Sequence, residues 1–310
     1  MRRDGRFALA LLAFAWLAGV PPGGAQTPSP ELSIELRGQP AQPGSILAIT
    51  VTTTTDAESV TATAFGQTAR LVRDGSARHW RGLIGVDLGT TLSSSLEVTA
   101  DLGGGRHVRT PEPLALKPRL FATRRLSVAS RFVDPAREEL ERIRLEAARL
   151  ETIFAAVTVP ARIETFVRPI PGAAGTNFGS RSIFNGEPRA PHAGADFRGA
   201  AGTPIAAPGG GRVVLAEDLF FTGQTVVIDH GVGLYSLLAH LSRIDVRPGQ
   251  TVARGDVVGL LGATGRVTGP HLHWTVRLNG ARVDPLRLVA LLAPAQSGAV
   301  LSGGPKATVR

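Results

Sequence analysis

From Glu31 to about Pro118, apolar and polar residues alternate in short runs. "LSIEL", "ILAITVTTTT", "SVTATAF", "HWRGLIGV" and "SLEVTADL" are rich in Val, Ile, Leu and Thr, and turn signals such as "GQPAQPGS", "RDGSA" and "DLGGG" separate them. Successive side chains of a strand point to opposite faces, so runs of this kind, bounded by Gly, Pro and Asp, read as half-buried strands. Their spacing of roughly 8–12 residues predicts an immunoglobulin-like (Ig-like) β-sandwich over residues 26–118, with Trp80 in its core. This region carries no evident chemistry. His79 and His107 are isolated and read as surface or strand histidines.

The period then changes. In "VDPAREELERIRLEAARLETIF", Leu140, Ile143, Ala147, Leu150 and Phe154 recur at spacings of three and four, which predicts one apolar stripe along a helix. Asp134 is placed as its N-cap, with Pro135 at the first helical position. Glu139 and Glu141 alternate with Arg142, Arg144 and Arg149 on the other faces, as expected of a solvated helix packing between domains. This amphipathic helix lies in a connecting segment, 119–160. From Ala161 to Ala293 the chain is again strand-like and rich in glycine. The fold class is therefore mainly β, in two domains joined by a helix. Residues 294–310, "PAQSGAVLSGGPKATVR", read as a flexible tail.

The N-terminal end has a different pattern. "MRRDGRFALALLAFAWLAGVPPGGAQ" places Arg2, Arg3 and Arg6 before an apolar run from Phe7 to Val20. That run is too short for a comfortable span of about 20 residues. Gly23 and Ala25 supply small residues at a cleavage site, so residues 1–25 are expected to be a signal peptide cut after Ala25. The expected location is the periplasm or cell envelope, with no stable membrane insertion after cleavage.

The chain has no cysteine. That excludes disulfides, thiolate metal sites and a thiol nucleophile, so a metal here must use His, Asp or Glu. The formal net charge is +9, and removing the signal leaves +7. The basic residues are nearly all arginine; Lys117 and Lys306 are the only lysines. A basic exported protein is drawn to anionic surfaces such as wall carboxylates. No arginine run with interleaved aromatics suggests a nucleic-acid partner.

Candidate chemistry concentrates in the second half. "PHAGADF" supplies His192 and Asp196, "VIDHG" Asp229 and His230, "LLAHLS" His240, and "GPHLHW" His271 and His273. Residues i and i+2 of a strand share a face, so the H-x-H pair aims two imidazoles at one point. A hydrolytic zinc site needs three protein ligands and an open position, with another group to move protons. His192, Asp196 and one member of the H-x-H pair would supply the ligands. The other member and His240 would be left for proton transfer and oxyanion stabilisation. Spacing alone leaves this open against a set of structural histidines.

The stretch from Asn177 to Asp284, with its H-x-x-x-D, its H-L after a strand and its H-x-H in that order, resembles the lysostaphin/LytM-type zinc metallopeptidase family. The resemblance implies an antiparallel β-sheet peptidase domain over 161–293. It also implies one Zn2+ per chain held by His192, Asp196 and His273, with His240 and His271 as the catalytic histidines. The implied activity is hydrolysis of peptide cross-links in bacterial peptidoglycan. A periplasmic enzyme of this kind favours D-alanyl–diaminopimelate bridges over pentaglycine. The alternative is a non-catalytic LytM-type regulator that binds and activates other wall hydrolases, and a protein regulator of the wall machinery is a further expected partner. Arg181 in "FGSR" is a candidate substrate contact, whereas Asp229 and His230 read as turn or supporting residues. Many relatives carry an aromatic residue where this chain has Leu238, and its one tyrosine is Tyr235. There is no H-E-x-x-H, no P-loop lysine in "GATGRVTG", and no acceptor lysine in the hairpin-like "RPGQTVARGDVVGLLGATG".

Overall fold

The computed structural model describes residues 31–158, 163–175 and 177–293. The expected signal peptide, the boundary at residue 161 and the C-terminal tail lie outside them. No described helix is long and apolar enough to cross a membrane.

Eight strands come first: β1 (Leu32–Arg37), β2 (Ile46–Thr53), β3 (Ser59–Ala64), β4 (Gln67–Arg70), β5 (Val72–Asp74), β6 (Ser76–Gly85), β7 (Ser94–Asp101) and β8 (His107–Leu114). They form two antiparallel sheets, ordered β1-β2-β6-β5 and β4-β3-β7-β8. The alternation read from the sequence sets the inward faces. Leu47, Ile49 and Val51 of β2 share one apolar cluster with Leu96, Val98 and Ala100 of β7. Trp80 sits in this core at 4 % exposure, and His79 and His107 are exposed.

The other face of the first sheet is also covered. Ile46, Val72 and Leu83 belong to the core of the C-terminal half, together with Phe197, Trp274 and Val283. Gly85 marks the closeness of this contact, since a Cβ there would lie 2.9 Å from Val283 Cγ1 and 3.0 Å from Ala281 Cβ. Asp87 and Arg282 add a forked ion pair at 2.6 and 3.0 Å. Burial raises the Asp87 carboxyl, but the Arg282 hydrogen bonds outweigh it and bring the group down to about 2.

The connecting segment contributes β9 (Thr123–Leu126), a 3-10 turn (Ser130–Phe132) and α1 (Arg137–Ala155). The helix starts later than the sequence predicts. Ala136 is the N-cap, and the Glu139 carboxylate accepts its backbone N–H at 3.0 Å. That reach-back from the third helical position replaces the expected Asp134 cap. The apolar stripe is covered best at its C-terminal end: Phe154 is buried with Leu150 packed in the same cluster, whereas Leu140 is 51 % exposed.

The C-terminal half adds β10 (Arg181–Phe184), β11 (Glu187–Arg189), β12 (Gly194–Arg198), β13 (Pro204–Ala206), β14 (Gly211–Leu219), β15 (Gly223–Asp229), β16 (Leu234–Ile244), β17 (Thr251–Val252), β18 (Val257–Leu261), β19 (His271–Leu278), β20 (Ala281–Val283) and α2 (Pro285–Leu292). The order β12-β19-β16-β15-β14-β17 forms the spine of a nine-stranded antiparallel sheet. β9 pairs in parallel with β10, so the connecting segment joins a small sheet beside this one. Helix α1 packs through Phe154 against Leu215, Val227, Tyr235 and Leu237. Arg142 and Arg149 pair with Asp218 and Glu217 of β14. On β19, Leu272, Trp274, Val276 and Leu278 enter the core. His271, His273, Thr275 and Arg277 take the opposite face. Arg277 lies over the Phe154 ring at 5.3 Å, so α1 covers one end of the face that carries the H-x-H pair.

Candidate active site

Three adjacent strands bring the site together. Asp196 on β12 stands directly opposite His273 on β19, and His273 stands opposite Ala239 on β16. His192 enters from the loop before β12. Its Nε2 is 2.9 Å from Asp196 Oδ1, and His273 Nδ1 is 2.8 Å from the same oxygen. His192, Asp196 and His273 thus offer ligand atoms that all lie within 4.8 Å of one another, a group that could hold a metal ion.

The donor set fits zinc, which takes imidazole nitrogen and carboxylate oxygen. His273 Nε2 is 2.8 Å from Thr275 Oγ1. Nδ1–H donates to Asp196 here, so Nε2 accepts from that hydroxyl; the other tautomer, with Nε2–H donated to Thr275, would free the Nδ1 lone pair for a metal. Burial pushes the His273 imidazole down, toward the neutral form a ligand requires. Burial alone would raise the Asp196 carboxyl, but hydrogen bonds and charge from His192 and His273 outweigh it and hold Asp196 far below the usual carboxylate range. Asn177 Nδ2 donates to Asp196 Oδ2, and Arg124 Nη1 of β9 lies 3.8 Å from that oxygen.

The other two histidines flank this group. The His271 and His240 ring centroids are 4.9 Å apart, and His240 lies 6.0 Å from His273. His271 Nδ1 donates to Gly269 O at 2.9 Å, which leaves its Nε2 lone pair free, 3.9 Å from Asp196 Oδ1. His240 Nδ1 donates to Thr264 O at 2.9 Å, which likewise frees its Nε2. Burial, followed by the charges of His273 and His271, pushes His240 down to about 3.

His240 reaches this position through a β-bulge. Between the pairs Gln224–Leu241 and Val226–Leu238, β16 carries one more residue than β15. His240 has φ +67°, and its N–H donates to Thr222 O at 2.8 Å. In a regular strand it would share the inward face of Leu238, which is fully buried. The bulge re-aims it.

His230 lies apart from the site. Its Nδ1 donates to Gly210 O at 2.8 Å, and its Nε2 accepts from Ser236 Oγ at 2.9 Å. Ser236 in turn accepts the Trp274 indole N–H at 3.1 Å. Asp229 accepts from Gly231 N and Thr158 Oγ1, as a turn residue does. Tyr235 donates to Ala156 O, on the helix side. Leu238 is a core residue.

A cleft of about 810 Å3 opens beside Asp196 and His271. Phe121, Arg124, Asn177, Phe178 and Arg198 are among its lining residues, and Arg181 is not. The sequence reading missed Asn177, Arg124, Arg198 and Thr275. Only Thr275 left a clear signal, as the next same-face residue after His273.

Residues 190–285 match the model of Peptidase family M23. The crystal structure of a Pseudomonas aeruginosa protein assigned to peptidase M23 is 32% identical, with a TM-score of 0.63 over 81% of this chain and 95% of that one. The chain belongs to peptidase family M23. Among curated relatives, the peptidoglycan DD-endopeptidase ShyA of Vibrio cholerae is 42% identical over 113 residues, 36% of this chain and 26% of that protein. The DD-carboxypeptidase/endopeptidase Mpg of Neisseria meningitidis is 41% identical over 103 residues, 33% of this chain and 24% of that protein. The chain thus spans about a quarter of the length of these curated relatives.

Proposed function

We propose that this M23 chain is an exported zinc metalloendopeptidase that hydrolyses peptide cross-links of bacterial peptidoglycan. The observation that carries the reading is the side-chain cluster beside the cleft, which reaches it through Asp196 and His271. There, two nitrogens and a carboxylate oxygen converge within 4.8 Å, and two further imidazoles stand beside them. The names of the relatives ShyA and Mpg support peptidoglycan as substrate. The basic net charge suits an anionic wall polymer, and the leader-like N-terminal sequence supports export.

His192, Asp196 and His273 would hold the metal. Zinc bound there would polarise the scissile carbonyl and acidify the attacking water. His271, through Nε2, takes the proton from that water and returns it to the leaving amine. Neutral His240, with its own Nε2 lone pair, orients the water. The positive φ and the hydrogen bond to Thr264 O fix the direction of His240 before substrate arrives. The N-terminal half, read as an Ig-like sandwich, backs the peptidase sheet through the core that its first sheet shares with it. A regulator that lacks catalysis would not need all five side chains.

The test is incubation of the purified chain with isolated sacculi, with and without a chelator, beside His273→Ala. Conversion of cross-linked muropeptide dimers to monomers is expected, lost with chelator and restored by added zinc, and absent in the variant. A zinc-loaded protein that leaves dimers intact would favour the regulator.

A further inference from the structure

Arg198 is the last residue of β12 and stands directly opposite His271. Opposed residues of an antiparallel pair share a face, with Cβ atoms about 4.5–5.5 Å apart. Arg198 is also two residues beyond Asp196, so the strand period puts both on the cleft side. Its side chain is exposed, lines the cleft, and forms no ion pair among the described residues.

The other cleft arginines are partly engaged. Arg119 is paired with Asp284 at 2.8 Å and lies against the Phe121 and Phe178 rings. Arg124 leans toward Asp196 Oδ2. Asp196 is the single acidic residue among the described lining, and it is engaged by His192 and His273. Among the described residues, Arg198 therefore leaves positive charge without an ion-pair partner beside His271. A cleft with one sign of charge concentrates ligands of the other, and a guanidinium fork matches a carboxylate.

We propose that Arg198 binds a carboxylate that the substrate carries next to the scissile amide, and so selects cross-links whose amide nitrogen sits on a carboxylate-bearing carbon. This rests on the peptidoglycan reading above. A D-alanyl–diaminopimelate bridge has that arrangement. A D-alanyl–lysine bridge has the same amide with no carboxylate on that carbon, and a pentaglycine bridge has none either.

The experiment compares two synthetic muropeptide dimers, D-alanyl–diaminopimelate and D-alanyl–lysine, otherwise identical. The full zinc-loaded chain is assayed beside Arg198→Ala and Arg198→Lys, with zinc content and melting temperature recorded for each. Binding of both dimers is measured in parallel by calorimetry. For Arg198→Ala, KM for the diaminopimelate dimer should rise about tenfold or more with kcat little changed. Arg198→Lys should recover part of the loss, and the lysine dimer should not distinguish the proteins. An equal effect on both dimers, or none on either, overturns the assignment. If the wild type binds but cleaves neither dimer, the endopeptidase reading fails. The assignment to Arg198 then stands or falls on whether the binding preference for the diaminopimelate dimer disappears in Arg198→Ala.

Discussion

Thr275 Oγ1 lies 2.8 Å from His273 Nε2, on the ring edge opposite the nitrogen that faces Asp196. An outer partner of this kind sets tautomer and ring orientation for a metal ligand. Thr275→Val keeps the shape and removes the hydroxyl. Zinc affinity should fall by roughly tenfold or more, read by competition with a chromophoric chelator. Unchanged affinity would mean that packing alone orients His273.

The positive φ of His240 gives a prediction with an unusual sign. Left-handed backbone costs an L side chain about 1 kcal/mol or more relative to glycine. Both His240→Gly and His240→Ala should abolish turnover. The glycine variant should nevertheless be the more stable by about 1 kcal/mol in denaturant unfolding, the reverse of the usual order in a strand. If alanine is the more stable, the bulge relaxes once the imidazole is gone.

The local part of this site was legible in the sequence and the long-range part was not. The H-x-H pair follows from the strand period, because β19 alternates core residues with His271, His273 and Thr275. His192 and Asp196 were carried by a compact motif and the family resemblance. Arg198 was not legible, since its place depends on which residue of β19 it opposes, and register is a property of paired strands. The aim of His240 depends on a bulge created by one extra residue, which alternation alone would place on the wrong face. The same holds for Ile46 and Leu83. They read as ordinary strand residues, yet they pack into the other half of the chain. Helix α1 began late because Glu139 could cap Ala136, a choice between two short-range options that sequence pattern does not rank.

His230 predicts a pH dependence separate from catalysis. Its burial brings the imidazole down from 6.5 to about 4, against the opposing hydrogen bond to Gly210 O. Below pH 6.5 the unfolded chain takes up a proton that the folded chain accepts only near pH 4. The stability tied to neutral His230 is thus complete above about 6.5 and is lost as pH falls toward 4, by up to about 3 kcal/mol. His230→Gln lacks this titration. The stability difference between wild type and variant should be flat above pH 6.5 and should shift against the wild type below it, in urea melts of metal-free protein. A difference that stays constant across this window would show that His230 is not held neutral by the fold.

His271 and His273 are two residues apart on one strand, yet their surroundings predict opposite consequences of removal. His273 Nδ1 points at Asp196 at 2.8 Å and belongs to the three-residue donor group. His271 is held by Gly269 O and stands outside that group, 3.9 Å from the same carboxylate oxygen. His271→Ala leaves all three donors in place and removes the nearby proton acceptor. It should retain one zinc per chain and lower kcat by about 10²–10⁴, the range for loss of a general base. His273→Ala should lose zinc as well as turnover. Metal analysis of the two purified variants beside wild type separates the roles. Zinc lost from His271→Ala and kept by His273→Ala would exchange the two assignments, and with them the route of the proton.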